Sequence, residues 1–500
     1  MPRLFVFAVG GTGARVMRAL TMLISAGGLA DYEVVPILID YDVLNGDLNN
    51  TYEQMCVYKG VHEKAYGDGI IMPYNGMVSP TLSPVMSFSP NNAVVGSNSF
   101  MMDMHMPYPH MRGGDVIGYP NLTENEHLFR LLLDSLFTTG SYGELSQDLC
   151  VGFKGNAKIA RLGYAALKIQ ETIEFRTFLN VITPNRDRIV VVGSTFGGTG
   201  SVGILEILKQ LRSEQHFPTN NIATVLVEPY FLPQIAPAMG VGDSRIVFAK
   251  RSREFLKFYM ESGLAGIVNA TYRIGMDDYV IYETAIGGPN QRNIAHPVEL
   301  LSAMAICEYA ATGQEGTFEY HYGRNNLQFV NERIEEHDFY QLPNGRMTLE
   351  LLGQLVLAAK FYNEYFWNDN RITNSYFFRE LCRNSALDRS FCDQLHDIFA
   401  ETVRWIEEMS KDANNKYALR LFKMDAPLEE TIIGHLYNPN RRSFLAHFFR
   451  QDIVRDYIDS MNRCYHAIRD EAWFSNASSE QIFIRLLSES SRNIYYNFNV

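Results

Sequence analysis

The chain has 500 residues, 46% hydrophobic and 20% charged, which excludes wholesale disorder and supplies apolar material for two or three ordinary domains. Acidic residues outnumber basic ones by 56 to 44, and a net charge of −12 gives no strong nucleic-acid signal, because sequence-independent binding needs a cationic face to displace counterions. No apolar run approaches the ~20 residues that span a bilayer, and residues 4–9 are too short for a signal-peptide core, so a cytoplasmic protein is expected. The six cysteines form no C-x-x-C pair, and free thiols are expected in place of a disulfide framework or a zinc knuckle.

Residues 4–9 are rich in strand formers, Gly10-Gly11-Thr12-Gly13 follows, and residues 14–24 carry apolar side chains at helical spacing, which predicts strand, glycine turn, helix. A second strand over 33–39 is apolar almost throughout, as in a parallel sheet covered on both faces, and ends in Asp40-Tyr41-Asp42. From 43 to 150 Met, Asn, Pro, Ser and Gly become frequent. One helix is expected there, near 124–137, within a loop-rich insertion whose methionines fill a small core. Alternation then resumes with a helix at 157–178, a strand at 188–193, a glycine loop at 196–203 and a helix at 204–212. A strand at 223–227, a helix at 245–260 and a strand at 270–274 continue it, implying a parallel sheet with right-handed crossovers. Leu342-Pro343-Asn344-Gly345 reads as a turn, and beyond it 347–367, 375–382, 392–410, 442–468 and 479–495 read as helices. The expected organisation is an α/β nucleotide-binding domain from 1–42 and 151–340, an insertion over 43–150, and a helical C-terminal domain over 345–500.

A helix N-terminus carries unsatisfied N–H groups and roughly half a positive charge, and glycines let a phosphate come close to it. Two strand ends open into such loops, Gly10-Gly11-Thr12-Gly13 and Gly197-Gly198-Thr199-Gly200, with hydroxyls at Thr12, Thr195, Thr199 and Ser201. A polyphosphate held from both sides is the expected ligand. No G-x-x-x-x-G-K-[ST] occurs, so the usual phosphate-loop ATPase design is not expected. The first loop also suits an NAD(P) pyrophosphate, with Asp40 or Asp42 on the ribose, although Val16 stands where the dinucleotide fingerprint has its third glycine.

Ser194-Thr195-Phe196-Gly197-Gly198-Thr199-Gly200-Ser201 resembles the G-G-G-T-G-S/T-G signature of the tubulin/FtsZ superfamily, with Phe196 at the first glycine and Val202 at the last. Other segments follow in that family's order. Val6-Phe7-Ala8-Val9-Gly10-Gly11-Thr12-Gly13 resembles its first phosphate loop, Asp40-Tyr41-Asp42 its acidic D-x-E near magnesium, and Gly152-Phe153-Lys154-Gly155-Asn156-Ala157 its γ-phosphate loop. Residues 225–231, including Glu228, resemble the strand and turn near the ribose, and Arg245-Ile246-Val247-Phe248-Ala249 resembles a helix start whose arginine reaches the nucleotide. Residues 293–303 resemble the start of the long central helix, where His296 either contacts the base or caps the helix that Pro297 begins.

The resemblance spans residues 2–42 and about 151–310. It implies a tubulin-like parallel-sheet fold that binds GTP or GDP with magnesium and self-associates as a homo-oligomer or filament. By the same resemblance the nucleotide contacts fall on Gly10, Gly11, Thr12, Gly13, Gly155, Asn156, Ala157, Gly197, Gly198, Thr199, Gly200, Ser201, Glu228, Arg245 and His296, with Asp40 and Asp42 toward the metal. The family's second domain is an α/β layer, whereas this tail reads as helical and is a candidate surface for a protein partner. In the family the water-orienting carboxylates come from the next subunit through N-x-D-x-x-D/E. The nearest match, Asn331-Glu332-Arg333-Ile334-Glu335-Glu336, keeps Asn331 and Glu336 in register as catalytic candidates and puts Arg333 at the first acidic position. GTP hydrolysis is therefore expected to be slow or absent. Lys154, Lys158, Arg161 and Arg245 are candidate cations for a triphosphate in an acidic chain. The competing readings are an NAD(P)-dependent oxidoreductase and a nucleotide-sensing scaffold that does not polymerise.

Overall fold

The computed structural model describes residues 1–67, 74–89, 99–137, 140–153, 155–213, 221–233, 244–276, 280–282, 288–322, 342–384, 387–410, 419–433, 435, 437 and 452–498. Its strands are β1 (Arg3–Val9), β2 (Glu33–Ile39), β3 (Thr81–Leu82), β4 (Arg188–Ser194), β5 (Ile222–Val227), β6 (Phe231–Pro233), β7 (Ala270–Met276), β8 (Val280–Tyr282) and β9 (Gly316–Tyr322). Seven of them make one wholly parallel sheet in the order β3-β2-β1-β4-β5-β7-β9, and β6 pairs with β8 beside it. The longer α-helices are α1 (Gly10–Ser25), α2 (Gly46–Tyr66), α3 (His127–Leu136), α4 (Ala157–Ala166), α5 (Ile173–Val181), α6 (Gly198–Ser213), α7 (Ser244–Glu261), α8 (Pro297–Thr312), α9 (Gly345–Lys360), α10 (Arg389–Ser410), α11 (Ile453–Ile468) and α12 (Ser479–Tyr496).

Because strand side chains alternate between faces, the continuous apolar runs feed two cores at once. Leu4, Val6 and Ala8 of β1 join a core with α1, α2, α8 and the C-terminal helices. Phe5, Phe7 and Val9 join the opposite core with α4, α5, α6 and α7, where Phe178 meets Phe5 and Phe7 edge-on at 5.0 Å. The sheet is thus doubly wound, and its direction reverses between β1 and β4. The β1–α1–β2 unit runs one way with its helix on one face, and β4–α6–β5 runs the other way with its helix on the other. The β7–α8–β9 connection breaks the rule: it moves in the same direction as β4–α6–β5 but carries its helix on the α1 face, so its hand is opposite. The chain first passes over the strand ends, where Gly288 is tied to Asp42 and Asn293 to Asp47, and this detour delivers α8 to the far side.

Several expected boundaries move. Both glycine-loop helices begin earlier than predicted, α1 at Gly10 and α6 at Gly198, so the glycines form the first turns themselves. The 157–178 helix is two, broken before Thr172, whose hydroxyl caps α5 through the Phe175 N–H. The 347–367 helix becomes π-helical over Phe361–Phe366 after α9, and 375–382 is a short turn followed by a π-helix at Arg379–Asn384. Of the 442–468 prediction, α11 begins at Ile453 behind the Asp452 cap, and 442–451 lies outside the described residues.

Two larger expectations are corrected. Residues 43–150, expected to be loop-rich with one helix, also carry the 21-residue α2, which packs on α1 and α10, and β3, which extends the sheet beside β2. Met55 and Met77 enter one core, while Met86, Met102, Met104 and Met111 enter the other. Nor is α8 the start of a long central helix. It stops after 16 residues at Gly313, which adopts φ 60°, and the chain returns to the sheet as β9, an edge strand without the continuous apolar run of the inner ones. The C-terminal helices are helical as expected but share the α1-face core, with α9, α10 and α12 seated against α1 and α2.

Candidate functional site

In open α/β sheets the crevice outside the carboxyl ends of the strands, at the point of reversal, is where ligands bind. Here that point lies between β1 and β4, and the two glycine-rich first turns meet across it. Gly10 has φ +72°, and a Cβ placed on it would stand 3.2 Å from the Gly200 nitrogen and 3.4 Å from the Thr199 Cβ. Glycine is needed there for the left-handed backbone and for the approach of the second loop. Val9 occupies the N-cap of α1 and supplies no capping side chain, so none of that helix's orphan N–H groups is used by a cap. Gly11, Thr12, Gly197 and Thr199 retain partial exposure along the crevice.

A third loop closes one side. A Cβ on Gly198 would lie 3.4 Å from the Asn156 nitrogen and 3.5 Å from the Gly155 carbonyl carbon. Asn156 caps α4 by accepting from Lys158 N–H at 3.1 Å, and donates through Nδ2 to Glu144 at 2.8 Å. Ala157 is the first residue of α4. Arg251 of α7, which the sequence reading did not single out, reaches this loop: its Nη1 lies 3.0 Å from where a Gly155 Cβ would stand. Gln291 approaches Gly11 in the same way, at 3.3 Å.

Asp40 and Asp42 follow β2 at the same edge, and both are buried. Asp40 Oδ1 accepts from the Thr199 hydroxyl at 3.3 Å and from Asp42 N–H at 3.2 Å, while Asp42 Oδ2 accepts from Gly288 N–H at 2.6 Å. Burial pushes the Asp40 carboxyl up to about 7, and no cationic side chain is among the groups that act on it. These two carboxyl groups lie beside the first turns of both helices and are the residues here that could hold a hydrated cation. Among the described residues no group of three or more His, Cys, Asp or Glu is arranged to hold a metal by itself.

The remaining predicted positions are committed elsewhere or lie outside. Glu228 pairs with Arg273 at 2.7 Å. His296 is 3% exposed, accepts from Val298 N–H at 3.1 Å and lies tilted against the Tyr230 ring, which is the capping role. Ser201 bonds back to the Gly197 carbonyl, and Thr195 meets the Ser252 hydroxyl at 2.8 Å, so both fasten the loop rather than face the crevice. Lys158 reaches the Leu136 carbonyl at 2.9 Å, and Arg161 lies over the Phe258 ring. The Arg245 side chain, Lys154, Asn331 and Glu336 lie outside what is described. Phe196, at the signature's first glycine, is buried against Phe248 and Phe231, at ring separations of 5.0 and 5.8 Å.

Behind the crevice α1 carries two buried arginines that the sequence concealed within a helical stripe. Arg15 pairs with Glu299 and donates to the Ile294 carbonyl at 3.0 Å. Arg18 donates to Glu401 at 2.6 Å and to Glu408 at 2.9 Å, both on α10. Asp47, at the start of α2, accepts from Asn293 N–H and Nδ2 at 2.8 and 2.7 Å. Burial raises the Asp47 carboxyl, and Arg15 and Arg18 oppose that rise. Charges in apolar surroundings persist only when paired in this way. No helix among the described residues is long and apolar enough to cross a membrane. No protein-family model, no curated protein and no solved structure matches the chain.

Proposed function

We propose that the chain is a nucleoside-triphosphate-binding protein of the tubulin-like kind, which takes GTP with magnesium at the β1/β4 crevice and self-associates with little or no hydrolysis. The observation that carries the reading is the contact of two helix first turns, Gly10 against Gly200, at the reversal point of a parallel sheet. Backbone N–H groups of both turns are suited to hold phosphate oxygens, with Arg251 as the nearby cation. Asp40 and Asp42 are the residues that would hold magnesium, which supplies neutralisation of phosphate charge when bound. Guanine preference and assembly into filaments come from the motif resemblance. The acid at the end of β2 is also where a dinucleotide fold binds ribose, so Asp40 keeps the NAD(P) reading as the second choice.

Calorimetric titration of the purified chain with GTP, ATP and NAD, each with and without magnesium, separates the two. Magnesium-dependent GTP binding that weakens in Arg251→Ala is expected, and NAD binding without GTP binding reverses the order. Light scattering and pelleting with GTP test assembly, and an unchanged sedimentation profile removes the filament claim.

A further inference from the structure

Helix α3 is turned inside out. Leu128, Leu131, Leu132 and Leu136 are 73, 56, 52 and 52% exposed and Phe129 is 44%, while Leu133 is its one buried residue. Its two charged residues lie off the leucine stripe: Arg130, half-buried, donates to the Leu122 carbonyl at 2.9 Å and lies over Tyr119, and Asp134, exposed at the margin, accepts from the Tyr119 hydroxyl at 2.8 Å. The outward arc, Leu128, Phe129, Leu132, Ser135 and Leu136, holds no charge. At roughly 400 Å², such a patch reaches the size that marks an interaction site on a monomer.

We propose that this face pairs with the same face of a second copy, antiparallel about a two-fold axis through Leu132. A two-fold contact needs a self-complementary patch, and the stripe has that symmetry. Leu128 and Leu136 stand one turn to either side of Leu132, and Phe129 stands opposite the small Ser135, so each half offers the other two large side chains and a gap. The axis brings Leu128 and Phe129 of one copy alongside Leu136 and Ser135 of the other. An interfacial membrane helix presents Lys and Arg on its polar side, whereas α3 is preceded by the exposed Glu124 and Glu126 in a chain of net charge −12, and anionic lipid is repelled. Two such patches bury about 800 Å², below the span of stable specific interfaces and within that of weak encounters, so the pairing is reversible and concentration-dependent. It needs no nucleotide and is distinct from the head-to-tail contact of a filament.

Sedimentation of the full chain without nucleotide, from about 1 to 100 µM, reads the pairing. A rise toward the dimer mass is expected, with Leu132→Glu remaining monomeric because the axis sets the two carboxylates against each other. Circular dichroism of the variant checks that it folds. Independently, Leu132→Cys is expected to form a disulfide-linked dimer under mild oxidation that wild type lacks. A wild-type chain monomeric at every concentration overturns the proposal. So does a dimer indifferent to Leu132→Glu, or Leu132-dependent flotation with liposomes in the absence of dimer. Since the pairing is read without nucleotide and Arg251→Ala alters the crevice while leaving α3 untouched, failure of one reading is distinguishable from failure of the other.

Discussion

Replacing Arg18 by alanine tests how the sheet and the C-terminal helices are joined. The guanidinium, with a side chain 5% exposed, donates from Nε at 2.9 Å and Nη2 at 2.6 Å to Glu401, and from Nη1 at 2.9 Å to Glu408. Breaking a buried pair by removing one partner costs about 3–5 kcal/mol, because a charge is left without compensation. Here the lower figure applies. Glu401 retains Arg404 and Gln54, and Glu408 retains the Ala295 N–H at 3.0 Å. With an unfolding entropy of about 2.1 cal/mol/K per residue, 500 residues melting together lose ~1 °C per kcal/mol, so Arg18→Ala is expected to lower Tm by about 3 °C. Differential scanning calorimetry measures it against Arg389→Ala, whose side chain is 95% exposed and which is expected to change nothing. Combining Arg18→Ala with Glu401→Gln should give less than the sum of the single changes, by more than about 0.5 kcal/mol. Equal Tm values for Arg18→Ala and Arg389→Ala refute the reasoning.

In the crevice, Gly10→Ala places a methyl 3.2 Å from the Gly200 nitrogen on a left-handed backbone, and GTP affinity is expected to fall at least tenfold, about 1.4 kcal/mol, by fluorescence titration. Arg251→Ala should weaken GTP by a similar factor and leave Tm without nucleotide within a degree, whereas unchanged affinity removes Arg251 from the site. Asp40→Asn is expected to abolish the magnesium dependence of GTP binding, which calorimetry with and without the ion reads directly. Burial pushes the thiols of Cys307 and Cys382 up to about 12, so both stay protonated at pH 8. Both cysteines are only partly covered, so it is the raised thiol that slows them: reaction with an aromatic disulfide reagent at pH 8 should run at least about 100-fold slower in the native chain than in denaturant, and equal rates contradict the shift.

The inner strands β1, β2, β4 and β5 were readable because residues buried on both faces must be apolar almost without interruption, whereas the edge strands β3 and β9 are short or half-exposed and carry no such run. The glycine turns were readable because close approach and positive φ restrict the residue type at Gly10. What escaped was set by tertiary contact. The buried stripe of α2 runs through Asp47, Thr51, Met55, Tyr58, Val61 and Ala65, and its polar members find partners only in the fold, Asp47 in Asn293 and Thr51 in the Ala14 carbonyl. In the sequence alone the segment therefore looks like loop. Arg251 belongs to a helix that was predicted, but its approach to Gly155 depends on how α7 sits over the α4 loop. His296 carries both of its readings in the sequence, and only its burial beside Tyr230 separates them.

Gly10 and Arg18 ride on one unbroken helix, eight residues and about 12 Å apart along its axis. Its first turn borders the crevice, and two turns later the same rod is clamped to α10 by three hydrogen bonds. A tilt of α1 at one end is therefore a displacement of the clamp at the other, with no loop between them to absorb it. The sheet's ligand edge and the helical layer behind it are mechanically one piece.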